Sequence, residues 1–167
     1  MGRQSTRENK TPYQLCREAL GLTREKAGEL LGALTPERIE KIESGRSAPH
    51  PDEVLLMADG YKAPHLCNHY CANGCPIGAR YVPEVPEREL SQIVLEMLAS
   101  LNSVQRMQER LIEITADGRI TRDETADFAR IRRELERISV TVETLQLWTE
   151  TQEARGDMAD ISPETEK

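Results

Sequence analysis

Aromatic residues are scarce in this chain: they make up 4% of 167 residues, with one Trp and one Phe. A large interior built on stacked rings is therefore excluded, and the core must come from aliphatic side chains. Long apolar runs are also missing. No stretch approaches the ~18 residues a membrane span needs, and the polar opening Met1-Gly-Arg-Gln-Ser-Thr-Arg7 does not read as a secretory leader. The expectation is a cytoplasmic protein without a membrane partner. Positive charge is not in excess either, since the net charge is -7. Residues 1–64 carry ten Lys/Arg against ten Asp/Glu, and residues 65–167 carry twelve against nineteen. Nucleic-acid affinity normally draws on a basic face, so only a local patch could supply it here. Catalytic constellations are lacking as well: there is no Ser/His/Asp set, no glycine-rich phosphate loop and no paired carboxylates in an apolar setting. Neither an enzyme nor a small-molecule substrate is expected.

What remains is the composition of amphipathic helices, 38% hydrophobic and 31% charged. The predicted fold is all-α. Residues 1–11 read as a polar arm. From Pro12 a helical stripe of Tyr13, Leu15, Cys16, Ala19 and Leu20 runs to a stop at Gly21. Thr23 supplies a cap for a second helix, Arg24 to Leu31, closed by Gly32. Thr35 then caps a third helix with Pro36 at its first position and Arg38 where a capping box would have Glu. Ile39 and Ile42 face inward, and Gly45 ends that helix. Pro49 and Pro51 form an extended turn before a fourth helix from Asp52 to Gly60. Short helices in this density make a compact domain over residues 12–64.

The run Leu15-Cys-Arg-Glu-Ala-Leu-Gly-Leu-Thr-Arg-Glu-Lys-Ala-Gly-Glu-Leu-Leu-Gly32, followed by Thr35-Pro-Glu-Arg-Ile-Glu-Lys-Ile-Glu-Ser-Gly-Arg46, closely resembles the helix-turn-helix domain of the Cro/phage-repressor-like (XRE) regulators. The resemblance covers about a third of the chain. It departs from the family pattern at Ala33-Leu34, which lengthens the turn by one residue, and at Glu37 and Glu40, which are acidic where the third helix would face DNA. The resemblance implies double-stranded DNA as a partner, with the third helix in the major groove and the second helix's N-terminus on a phosphate. On that basis Thr23 and Arg24 would meet phosphate, and Arg38 and Lys41 would reach base edges or phosphate. Arg46 would add a backbone contact and Thr35 a hydroxyl. Glu37 could accept from cytosine N4 while repelling phosphates. The same charges also suit a solvated helix face with pairs such as Glu37 and Lys41.

Residues 65–86 form a connector rich in Cys and Pro. Cys67-Asn-His-Tyr-Cys71-Ala-Asn-Gly-Cys75-Pro76 holds three of the four cysteines at two equal spacings, with His65 and His69 close by. Prolines 64, 76, 83 and 86 exclude a long helix, although 67–73 could form two turns with Cys67 and Cys71 on one face. Three thiols and a nitrogen suit a closed zinc site, and three thiols with one further ligand can also hold an iron–sulfur cluster. Cys67, Cys71, Cys75 and His65 are the candidate metal ligands. A zinc knuckle normally uses Cys-x2-Cys, so the spacing also fits unligated structural thiols or a redox-active pair. Cys16 stands where resembling domains have a core Leu and reads as a small buried hydrophobe.

From Glu87 two amphipathic stretches follow, predicting a helical hairpin over residues 87–152. Leu90, Val94, Met97, Leu101, Val104, Gln108 and Leu111 alternate by four and three, as do Phe128, Ile131, Leu135, Ile138, Val142 and Leu145. Asp117-Gly118 makes the turn, and Thr121 with Glu124 looks like a capping box. The same loop places Gly, Ile and Glu as a calcium loop would, but Glu113 and Thr115 occupy positions where that loop wants Asp or Asn; the helix stop and cap account for them. Ile93, Leu95, Leu98, Ile112, Ile114, Val140, Leu147 and Trp148 lie off the two seams. That surplus predicts a homodimer through a four-helix bundle. Residues 153–167 read as a disordered acidic tail. The leading expectation is a dimeric transcriptional regulator with a metal or redox input. A protein-binding adaptor that keeps the fold without reading DNA is the alternative.

Overall fold

The computed structural model describes residues 10–157, which are helical with no strand among them. They divide into two compact units: residues 10–84 with 149–157, and residues 85–148.

The first unit opens with α1 (Pro12–Ala19), α2 (Arg24–Leu31) and α3 (Pro36–Glu43). Each is started by a threonine hydroxyl that accepts from the amide three residues on: Thr11 from Gln14, Thr23 from Lys26 and Thr35 from Arg38. These caps satisfy amides that the first helical turn leaves unpaired. Between α2 and α3 the extra turn residue Leu34 is buried, and its carbonyl lies so close to Gly28 that a Cβ there would stand 3.0 Å away. The longer turn thus anchors the two helices against each other.

The fourth helix, α4 (Pro51–Tyr61), starts one residue earlier than the pattern predicts, with Glu53 accepting from the His50 amide at 2.7 Å. Next come α5 (His65–His69), a π-helical turn (Tyr70–Gly74) and α6 (Gly78–Tyr81). The core of this unit joins Ala27, Ile39, Ile42, Val54, Met57 and Leu66. Leu66 is fully buried in this core, with Cys67 and Tyr70 packed against it.

The inner face of α1 differs from the predicted stripe. Tyr13, Gln14 and Arg17 are buried, whereas Leu15 and Leu20 are exposed. The cause is an ion-pair network: Arg17 donates to Glu43 at 2.5 and 3.0 Å, and Arg24 donates to the same carboxylate at 2.9 Å. Glu43 sits four residues after Ile39 and shares its inward face, which turns Arg17 into the core.

The second unit holds α7 (Leu90–Thr115) and all but the end of α8 (Thr125–Arg155). The two helices pack together, and Arg110 on α7 donates to Asp127 on α8 at 2.9 Å. The buried line on α7 is Ile93, Ser100 and Ile114, with Met97, Val104, Met107 and Leu111 partly covered. The seam is thus shifted from the predicted one. Met97, Val104 and Leu111 are shared, but Ile93, Ser100 and Met107 replace Val94, Leu101 and Gln108, and Ile114 extends the line. This register avoids Gln108 and ends on two isoleucines. Opposite, α8 buries Ile131, Thr141, Thr144 and Leu147, while Leu135 and Val142 are exposed. The two threonines satisfy their hydroxyls on the carbonyls of Arg137 and Val140, at 2.8 and 2.7 Å.

In the loop, Asp117 accepts from the Arg119 amide and Glu124 accepts from both the amide and hydroxyl of Thr121. The helix begins at Thr125, four residues after the predicted cap, because Thr121–Glu124 forms a preceding turn. The predicted arm and tail fall largely outside the described residues.

Candidate nucleic-acid interface

The third helix carries the outward side chains that matter. Ile39 and Ile42 lock its inner face into the core, which leaves Glu37 and Lys41 exposed on the other side. Lys41 sits in the last turn, where its charge complements the helix carbonyls, and it holds its ammonium in solvent. Thr35, at the head of the same helix, is exposed but uses its hydroxyl as a cap.

Arg38 does not reach outward. Its guanidinium donates to both carboxylate oxygens of Glu53 at 2.6 Å, to Ser47 Oγ at 2.7 Å and to the Ala48 carbonyl at 3.0 Å. This fork braces α3 against α4 and the loop between them. The Arg38 hydrogen bonds hold the Glu53 carboxyl below the usual carboxylate range. In this structure Arg38, expected to reach base edges or phosphate, thus has its guanidinium engaged as a strut.

Arg24 is also turned inward, to Glu43, although it is only partly covered. Arg46 stays 63% exposed while pairing with Glu40 and donating to Ser44 Oγ at 3.0 Å. Lys26, exposed in the first turn of α2, adds a cation that the sequence reading passed over. Its position two residues after the Arg24 start of α2 was the available signal. The exposed cations of α2, α3 and the turn after it are thus Lys26, Lys41 and Arg46.

A family model described as a helix-turn-helix domain matches residues 14–68, a range that contains α2, the Leu34 turn and α3. Residues 14–68 form a helix-turn-helix domain. The helix-turn-helix match reaches past the predicted boundary at residue 64 and takes in Leu66, in agreement with the core. No curated protein and no solved structure matches the chain.

The cysteine segment lies at the end of the helix-turn-helix unit. Cys67 is half-buried against the core, and burial, followed by the charge of Asp59, pushes its thiol pKa up. The π-helical turn closes with the Cys75 amide on the Tyr70 carbonyl at 3.0 Å, and Cys75 Sγ accepts from the Gly78 amide at 3.4 Å. Gly78 packs directly on Cys71, where an added Cβ would stand 2.0 Å from the Cys71 carbonyl oxygen.

The four proposed ligands Cys67, Cys71, Cys75 and His65 are not gathered. His65 turns its Nε2 to Cys16 Sγ at 3.3 Å, and His69 faces Glu84 at 3.2 Å. Among the described residues no group of three or more His, Cys, Asp or Glu side chains is placed to hold a metal ion. None of the four cysteines is disulfide-bonded.

Proposed function

We propose that the chain is a sequence-specific DNA-binding transcriptional regulator acting as a homodimer. The observation that carries the DNA reading is the helix-turn-helix domain at residues 14–68, with α3 offering Lys41 and Glu37 on its open face. In such a domain the third helix enters the major groove, and contacts divide into phosphate positioning and base readout. Lys26, Lys41 and Arg46 are assigned to phosphate or base contact, with Thr23, Arg24 and Thr35 lining the helix starts beside them. Glu37 is assigned to readout at a cytosine. Arg38 supports the helix rather than touching DNA.

Dimerisation is assigned to the hairpin of α7 and α8. Leu90, Val94, Leu98 and Leu101 are exposed on α7, and Leu135 and Val142 on α8. On α7 these residues fall within one face, separate from the buried line. A second copy would cover them in a four-helix bundle, and paired heads would then read paired half-sites.

The adaptor reading has one specific observation in its favour. Two of the expected donor arginines, Arg24 and Arg38, are committed to internal carboxylates, in a head whose Lys/Arg and Asp/Glu balance. Titration of labelled duplex DNA at low salt separates the readings. The regulator reading expects binding that weakens as salt rises, and a salt slope reduced by about one for Lys41→Ala. An adaptor would show no binding at any salt.

A further inference from the structure

The first unit contains a cavity that shares no lining residue with the DNA face. It measures about 680 Å³ and lies where the end of α4 meets the end of α8. That volume is within the range of small-molecule sites. Its wall carries the carboxylates of Asp59, Glu150 and Glu153 against one ammonium, that of Lys62. Ala58, Pro64 and Ala154 add apolar surface. Two helix ends deepen the negative character. α4 stops at Tyr61 and α8 at Arg155, so the terminal carbonyls of both bring partial negative charge to this cavity. The last turn of α4 holds no basic residue to offset it, whereas α8 has Arg155 in its last turn. The cavity therefore favours a cation. A point cation does not suit it. Among the described residues no three His, Cys, Asp or Glu side chains are placed to hold a metal ion, so the carboxylates do not converge on one centre. Separated carboxylates and apolar wall together suit a ligand whose positive charges are themselves spaced along a hydrocarbon chain.

We propose that this cavity binds an aliphatic polyamine, a hydrocarbon chain with two or more protonated amines. One ammonium pairs with Asp59 on α4 and another with Glu150 or Glu153 on α8, while the methylenes lie on Ala58, Pro64 and Ala154. Glu150 and Glu153 are three residues apart and so share one helix face, whereas Asp59 comes from a separate helix. Occupancy thus ties the C-terminal end of α8 to α4 and stabilises the first unit. Lys62 repels the ligand and limits its affinity. The inference stands whether or not the head reads DNA.

The test uses the full chain and spermidine as the probe, in a calorimetric titration at about 150 mM salt. One spermidine should bind per chain, and more tightly than Mg²⁺. Glu150→Gln with Glu153→Gln keeps side-chain size, is checked for helicity, and should weaken spermidine about tenfold, the worth of two exposed ion pairs. Lys62→Gln should tighten it about threefold, a shift of opposite sign that damage to the fold cannot mimic. Glu109→Gln with Glu136→Gln removes the same charge from the second unit and should leave the affinity nearly unchanged. Absence of binding to the unaltered chain at millimolar spermidine overturns the proposal. Equal weakening by the two glutamine pairs overturns it too, since it would mean attraction to the overall charge of -7. Mg²⁺ bound as tightly as spermidine would assign the cavity to a metal and overturn it as well.

Discussion

Glu43 shows how much one side chain decides. It is 3% exposed and receives both Arg17 and Arg24. Removing it leaves the buried Arg17 with only the Leu22 carbonyl and a long 3.9 Å contact to Glu18, so Glu43→Ala should cost about 3–5 kcal/mol in chemical denaturation. Arg38 and Glu53 form a second such pair nearer the surface. Because Arg38 holds the folded Glu53 pKa below its unfolded value, this stabilisation is present above about pH 4.3 and is lost as the pH falls through the folded value. Glu53→Gln should therefore flatten the acid limb of a stability-versus-pH curve while lowering the neutral plateau; an unchanged acid limb would show that Glu53 is not the group. These pairings were not legible in the sequence. Threonine caps, glycine stops and the inward isoleucines are local, and their spacing announces them. The partner of Arg38 is a carboxylate fifteen residues away that only the fold brings within 2.6 Å.

At the scale of elements, two packings decide the outcome. The π-helical turn and α6 meet where Gly78 touches the Cys71 backbone, and backbone cannot move aside as a flexible side chain can. Gly78→Ala should cost about 1–3 kcal/mol. By contrast, at Gly60 an added Cβ meets only the end of Leu31, and Gly60→Ala should be milder. Thermal melts of the two variants compare them directly. In the hairpin, the shifted seam makes a sharper prediction. Ile114 is fully buried and Leu101 is 47% exposed. Ile114→Ala should cost about 2–5 kcal/mol within one chain, whereas Leu101→Ala should leave a dilute chain's unfolding nearly unchanged. A seam through Leu101 with Ile114 off it, as the heptad spacing alone suggests, predicts the reverse order. Two helices and their turn were readable from the sequence because amphipathic stretches of this length have few other uses. The register was not, since seven-residue spacing fits both Val94 with Leu101 and Ile93 with Ser100, and only packing against α8 chooses between them.

For the whole molecule, the chain joins a helix-turn-helix head to a hairpin with uncovered apolar residues. Light scattering at micromolar concentration should give twice the mass of one chain, and Leu98→Glu with Leu101→Glu should halve it while leaving helicity intact. A single-chain mass for the unaltered protein would remove the dimer. The central claim is that α3 presents this head to duplex DNA through Lys41 and its neighbours, with Arg38 as support. A fluorescence-anisotropy titration of labelled random-sequence duplex across roughly 50–200 mM salt tests it most directly. The account predicts binding that weakens steeply with salt, and Lys41→Ala with Arg46→Ala lowering both affinity and salt slope in a head that melts as before. Absence of binding at the lowest salt, or affinity unmoved by the double substitution, would contradict it.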